Sequence, residues 1–215
     1  MEDITDNQTV VGSLNYTVLA TRPDISYAVG ALSCYKLRPF ASHSTAAKRV
    51  LQYLKSRPDC RIDFNRNGID ICNRLVGYSD SDWANDRADR TSQGGHGFLT
   101  RNGAIPWQSQ KQTLIAMSTP EAEFIACLEA SRDVKWLLQL QKDIHGFQKH
   151  SPPLPINCDN EGSLPQITTG MIKAQTKHIN FCYHNRRDLH RRRIVNYFYV
   201  NTNENVADIV RKALT

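Results

Sequence analysis

The sequence predicts an α/β fold: a mixed sheet flanked by helices and preceded by a small, mainly helical segment. Three observations carry this expectation. From residue 75 onward, short runs of alternating apolar and polar residues (75–84, 94–100 and 104–110) are separated by turn chemistry. A long helical pattern follows at 119–144. Two further apolar strands, 154–158 and 194–200, come after it with helical stretches between them, the order of strands joined by crossovers. Residues 10–56 carry helical spacing instead, which divides the chain into a helical part, 1–72, and an α/β part, 73–215.

Each element has a local cause. Residues 10–21 are apolar and stop at Arg22-Pro23-Asp24, where Pro23 opens a second helix with Asp24 in its first turn. Ile25, Val29, Leu32 and Leu37 continue the helical spacing up to Pro39. A third helix is expected from Ser44-Thr45, with Val50, Leu51 and Leu54 on one face, while Lys48, Arg49, Lys55 and Arg57 read as a solvated face or, alternatively, as contacts to a nucleic-acid backbone. Asn67-Gly68 marks a hairpin turn between residues 61–64 and 68–72. Three strands then form an antiparallel meander, closed by Asn102-Gly103. Ser118-Thr119-Pro120-Glu121 combines a hydroxyl cap, an early proline and a glutamate suited to a capping box. A short helix is expected to about residue 169, a basic-ended helix over 176–193, and a last helix over 205–214.

Composition narrows the class. With 40% hydrophobic and 22% charged residues, the 215-residue chain falls in the ordinary globular range. No apolar run reaches the length of a membrane span, and the polar N-terminus is unlike a signal peptide. The six cysteines form no CxxC pair, and three sit in apolar segments, which suits reduced thiols in an intracellular protein. A net charge of +6 favours a polyanionic partner.

The stretch from Leu75 to Ala84 is the one that invites chemistry. It is a strand running into Asp80 and Asp82, and Asp is a poor strand former. A turn at the strand end would account for both acids equally well. Three more carboxylate positions resemble it: Asp159 ends another strand, while Glu123 and Asp208 lie near helix starts. Acids gathered at one sheet edge repel one another and are sustained by divalent cations, and all-oxygen ligands select Mg²⁺ or Mn²⁺ over zinc. Two such ions suit phosphodiester hydrolysis. Spacing alone leaves the turn reading and the metal reading both open.

The order of the motifs adds a resemblance. Leu75 to Ala84, Gly95 to Phe98, Ser118-Thr119-Pro120-Glu121-Ala122-Glu123-Phe124-Ile125-Ala126, Cys158-Asp159-Asn160, Thr176-Lys177-His178-Ile179 and Val206-Ala207-Asp208-Ile209 follow one another. Together they resemble the ribonuclease H domain of copia-type retrotransposon polyproteins. Upstream, Val11-Gly12-Ser13-Leu14-Asn15-Tyr16, Ala20-Thr21-Arg22-Pro23-Asp24-Ile25 and Ala46 to Leu54 resemble the end of that element's reverse transcriptase.

The resemblance implies a ribonuclease H-like sheet and makes Asp80, Glu123, Asp159 and Asp208 the catalytic and metal-binding carboxylates. It implies two Mg²⁺ ions, with Mn²⁺ as a substitute, and hydrolysis of the RNA strand of an RNA–DNA hybrid. Glu123 is preferred over Glu121 because it directly precedes Phe124-Ile125-Ala126, and Asp82 is at best an outer neighbour. Arg186, Arg187, Arg191, Arg192 and Arg193 are candidates for the nucleic-acid backbone, or else a solvated helix end. A missing polymerase portion is the implied protein partner, since no Tyr-x-Asp-Asp motif is present.

Departures from the pattern suggest a diverged copy, and an inactive nucleic-acid-binding remnant is the alternative reading. Ser92-Gln93-Gly94-Gly95-His96 replaces a Ser-Thr-Ser-Gly-Tyr pattern, which predicts a more flexible segment, and Arg211 stands where threonine is usual. Residues 201–205 hold no histidine. His178, Cys182 and His184 are poorly spaced for zinc, and Trp83, Trp107 and Trp136 are expected in the core rather than stacked on bases.

Overall fold

A computed structural model describes residues 4–64, 75–86, 89–101, 103–145, 153–162 and 188–212. Three N-terminal helices, α1 (Ile4–Ala20), α2 (Ser26–Ser33) and α3 (Ala41–Ser56), precede the sheet. Their side chains form a core of their own around Val11, Leu14, Ile25, Val29, Leu32, Ala47 and Val50. A short 3-10 turn at Pro23–Ile25 joins the first two, with Pro23 at its start as expected. α3 begins earlier than the Ser44-Thr45 signal. His43 Nδ1 accepts from the Phe40 backbone N–H at 3.0 Å, so a histidine three residues on does the capping. Leu51 is exposed because Ala47, Val50 and the half-buried Leu54 define a narrower apolar stripe. Lys48, Arg49, Lys55 and Arg57 are exposed, which suits a solvated face and a nucleic-acid contact alike.

Among the described residues the sheet has five strands: β1 (Val76–Ser81), β2 (Gln93–Thr100), β3 (Gly103–Lys111), β4 (Leu154–Cys158) and β5 (Val195–Tyr199). Their order is β3-β2-β1-β4-β5. β1, β2 and β3 form the expected antiparallel meander, while β4 and β5 add to β1 in parallel. The opening strand is therefore central. Pro106 lies in the edge strand β3, opposite a register shift between Gly97 and Leu99, where its missing N–H costs the ladder least. Residues 61–64 are irregular rather than a hairpin strand, and the rest of that predicted hairpin lies outside the described residues.

Strand alternation sorts the two faces. Built onto Gly94, a Cβ would lie 3.8 Å from Ala126, whereas one on Gly95 would lie 2.9 Å from Val210. The helix α4 (Thr119–His145) thus covers one face and the short helix α5 (Asp208–Arg211) the other. Every residue from Glu121 to Leu128 is buried, so the first turns of α4 are enclosed on all sides. Further along only the stripe of Ala130, Ser131, Val134 and Leu137 is buried. The main core joins Ala130, Val134 and Leu137 to Phe98, Ile156, Leu189 and Val195. Phe98 lies across Gly77, where a Cβ would approach its ring to 2.8 Å, so this glycine is what lets the ring cross β1.

The helical part docks on the same face as α5. Trp107 Nε1 donates to the Val18 carbonyl at 3.1 Å, and Gly30 approaches Ser109 O closely enough that a Cβ would stand 3.6 Å away.

Candidate metal centre

Asp80 reaches the site because the strand alternation puts it on the α5 face. It pairs in register with Gly95, whose side is taken by Val210 and Arg211. Tyr78 is level with Asn157 in the parallel ladder, so two residues further Asp80 stands beside Asp159, just past the end of β4. Glu123 comes from the enclosed start of α4 and meets the end of β1, where its Oε1 accepts from the Ser81 N–H at 3.1 Å. The carboxylate oxygens of Asp80, Glu123 and Asp159 lie within 4.8 Å of one another. Asp80 and Glu123 are almost wholly buried, at 1% and 3% exposure.

Charge is poorly compensated there. Burial, a hydrogen bond with Asp208 and the charge of Asp159 push the Asp80 carboxyl up to about 7, against the pull of Arg211. Burial and then the charges of Asp80 and Asp159 push Glu123 up to about 10. Among the described residues, Glu123 Oε2 is buried without a hydrogen-bond partner. An orphaned buried oxygen beside two more carboxylates is a poor structural element and a good hard-cation ligand set. The donors are compatible with a divalent metal.

Asp208 is placed differently. It shares a hydrogen bond with Asp80 but lies outside the group of three. Arg211 Nη2 donates to its Oδ1 at 2.7 Å, and Lys212 Nζ holds Oδ2. Burial would raise this carboxyl, but the hydrogen bonds from Asp80, Lys212 and Arg211 outweigh that and hold it below its ordinary value. Arg211 Nε also donates to Asp80 Oδ2, so one guanidinium spans both acids. Burial disfavours the Arg211 charge, and the two carboxylates more than offset that and raise its pKa.

Several readings are sharpened by position. Asp82 points away from metal chemistry: its Oδ1 accepts from the Gln93 N–H at 2.6 Å and secures the start of β2. Gly95 is a close-packing residue, not a flexible one, because α5 lies directly on it. His96 faces α4 and pairs through Nε2 with Asp133 at 3.0 Å. Trp83 and Trp136 are about half exposed, at 51% and 56%, and are not core residues. Trp83 lies beyond the end of β1 with its Nε1 on the Ala116 carbonyl, and Trp136 falls off the buried stripe of α4.

Arg191, Arg192 and Arg193 are exposed, and Arg192 pairs with Asp188. Arg186, Arg187, His178, Cys182 and His184 lie outside the described residues. Among the described thiols, Cys127 and Cys158 are buried and not disulfide-bonded, while Cys34 and Cys60 are exposed.

Sequence reading missed Asn205. It is buried, its Nδ2 donates to the Ser79 carbonyl at 3.0 Å, and its Oδ1 accepts from the Ala207 N–H at 3.2 Å. It thereby ties the segment before α5 to β1, one residue from Asp80. Only the proximity of Asn205 to Asp208 in sequence hinted at this.

The geometry defines an α/β protein with a buried acidic centre at the edge of a mixed sheet, and comparison with known proteins places it further. No protein-family model matches the chain. The retrovirus-related Pol polyprotein from transposon TNT 1-94 of Nicotiana tabacum is 36% identical over 205 residues, 95% of this chain. That from transposon RE2 of Arabidopsis thaliana is 35% identical over 215 residues, the whole chain. The chain's homologues are thus retrovirus-related Pol polyproteins of copia-type transposons, 34–36% identical across nearly the whole chain. The chain spans only 15% and 14% of the length of the first two relatives.

A protein named secreted RxLR effector protein 161, from Plasmopara viticola, is 42% identical over 127 residues, covering 59% of this chain and 87% of that one. Among solved structures, LC11-RNase H1 in complex with RNA/DNA hybrid aligns over 64% of this chain and 93% of that one. Its TM-score is 0.45 at 15% identity. Among the described residues, no helix is long and apolar enough to cross a membrane.

Proposed function

We propose that this chain is the ribonuclease H-type portion of a retrotransposon Pol polyprotein and hydrolyses the RNA strand of RNA–DNA hybrids. The observation that carries the reading is the buried, unpartnered Oε2 of Glu123 beside Asp80 and Asp159. Asp80, Glu123 and Asp159 would hold a divalent cation, Mg²⁺ or Mn²⁺, with Asp208 as the fourth carboxylate. When bound, such ions activate water and stabilise the leaving oxygen of a phosphodiester. The chain's own part is positional. The Ser81 N–H orients Glu123 through Oε1, and Oε2 is left buried without a partner among the described residues. Asn205 sets the distance between Asp80 and the segment that carries Asp208.

On this proposal residues 1–72 are a helical unit that faces the polymerase portion of a polyprotein, and residues 73–215 are a catalytic unit that faces the hybrid. The exposed Arg191, Arg192 and Arg193 supply positive charge suited to a phosphate backbone.

A second reading, a nucleic-acid-binding remnant without activity, is favoured by one observation. Arg211 bridges Asp80 and Asp208, two of the four acids the reaction needs. The deciding experiment is cleavage of a labelled RNA–DNA hybrid with Mg²⁺ or Mn²⁺, comparing wild type with Asp80→Asn. Metal-dependent cleavage by the wild type alone supports the nuclease. Hybrid binding with no metal-dependent cleavage supports the remnant.

A further inference from the structure

Within the acidic centre, one cation is already supplied by the chain. Arg211 has a side chain only 15% exposed and sits between the two carboxylates on the α5 face. Its Nε goes to Asp80 Oδ2 and its Nη2 to Asp208 Oδ1, so the fork spans two acids instead of gripping one. Lys212 takes the other oxygen of Asp208, so both Asp208 oxygens are engaged. Asp80, Glu123 and Asp159 approach one another on the other side, and there an oxygen of Glu123 has no partner. The backbone of α5 holds Arg211 in place. A Cβ built on Gly95 would lie 3.3 Å from the Arg211 Cβ, so the helix is packed directly on β2.

We infer that Arg211 is a tethered counter-cation that competes with a divalent ion for Asp80 and Asp208. The resting chain therefore opens only the Asp80–Glu123–Asp159 side of the centre to metal. Filling the Asp208 side requires the guanidinium to swing out, breaking charge-assisted hydrogen bonds to both acids. Arg211 thus sets how many ions the chain holds and how tightly. The inference rests on the metal-site reading above.

The test is a calorimetric titration of the full chain with Mn²⁺ at about pH 8, where metal ions compete better with protons for carboxylates than at lower pH. Wild type, Arg211→Ala, Lys212→Ala and Glu123→Gln are compared, with a thermal unfolding scan confirming that each is folded. Arg211→Ala is expected to bind Mn²⁺ about tenfold more tightly, or to take up an additional ion, because two charge-assisted bonds no longer oppose it. Lys212→Ala leaves the Arg211 bridge in place and is expected to shift affinity far less. Glu123→Gln is expected to lose binding.

If Arg211→Ala does not fold, Arg211→Lys takes its place. That change keeps the charge but lacks the fork, and an intermediate gain is expected. Equal affinity and stoichiometry in wild type and the Arg211 variant would overturn this inference and leave the metal site standing. Absence of Mn²⁺ binding in both would overturn the metal site, and this inference with it.

Discussion

Two buried clusters of charge in this molecule are built on opposite plans. In the helical part, Asp24 receives Arg22 Nε and Nη2 at 2.9 and 2.7 Å and the Tyr53 hydroxyl at 3.0 Å. The Arg22 guanidinium also lies 5.5 Å from the Tyr53 ring centre, near enough for a cation–π contact. Burial would raise the Asp24 carboxyl, but the hydrogen bonds from Arg22 and Tyr53 win and hold it below its ordinary value. In the sheet, Asp80, Glu123 and Asp159 meet with far less internal compensation, and the first two are pushed up. Where the fold needs only structure, it supplies the countercharge. Where the carboxylates face the edge of the sheet, an oxygen of Glu123 is left over, and a cation from outside would satisfy it.

The sharpest way to break that contrast is to remove one acid from each cluster. Asp24→Ala strands the Arg22 guanidinium and is expected to destabilise the chain by about 3 kcal/mol in denaturant unfolding. Glu123→Gln removes a buried acid that has no countercharge, and it is expected to leave metal-free stability unchanged or improved. A large loss from Glu123→Gln would show that the acidic centre is as structural as the Arg22 cluster.

The two clusters should also respond to pH with opposite sign. A carboxyl raised in the folded state binds more protons there than when unfolded. Its stabilising contribution is complete below the unfolded value and is lost as pH rises. For Asp80 that loss runs from about 4 to about 7, and for Glu123 on towards about 10. Asp24 is held low, so its contribution is present at neutral pH and lost only as acid drives the pH through its lowered folded value. Unfolding of the metal-free chain followed across pH is expected to show falling stability between about 4 and 7, with the slope reduced in Asp80→Asn. An unchanged slope in that variant would contradict the assignment.

Smaller effects refine the comparison. Mn²⁺ at about a hundred times its dissociation constant should stabilise the wild type by about 2.7 kcal/mol, and Asp80→Asn by much less. The shift should be larger at about pH 8 than at about pH 6, because the ion must displace protons from Asp80 and Glu123. Asn205→Ala is expected to cost about 1 to 2 kcal/mol, since it frees the buried Ser79 carbonyl and the Ala207 N–H. It should also weaken Mn²⁺ binding, which a purely structural asparagine would not do.

Much of this architecture is legible in the residues because local signals agree with the packing. Alternation in 76–81, with Asp80 at its end and Asp82 just beyond, places β1 correctly, and Leu154 to Cys158 is matched residue for residue by β4. Thr119-Pro120 marks the start of α4, although Glu121 closes back on the Met117 N–H, one residue earlier than a capping box requires. The centre is less legible because it is assembled by pairs that sequence spacing does not report. Gly95 looks like flexibility until α5 is seen lying on it. Trp83 and Trp136 look like core residues by composition, yet one lies past a strand end and the other beside the buried stripe. Arg211 stood out in sequence only as an unusual residue. Its consequence depends on the parity that puts Asp80 and α5 on one face of the sheet.

The most direct test of the central claim is anomalous diffraction from crystals of the chain soaked in Mn²⁺. An anomalous peak coordinated by oxygens of Asp80, Glu123 and Asp159 is expected, with the Ser81 N–H still on Glu123 Oε1. A saturating soak that leaves no peak between those three residues, or a Glu123 side chain turned out of the cluster, would contradict that claim.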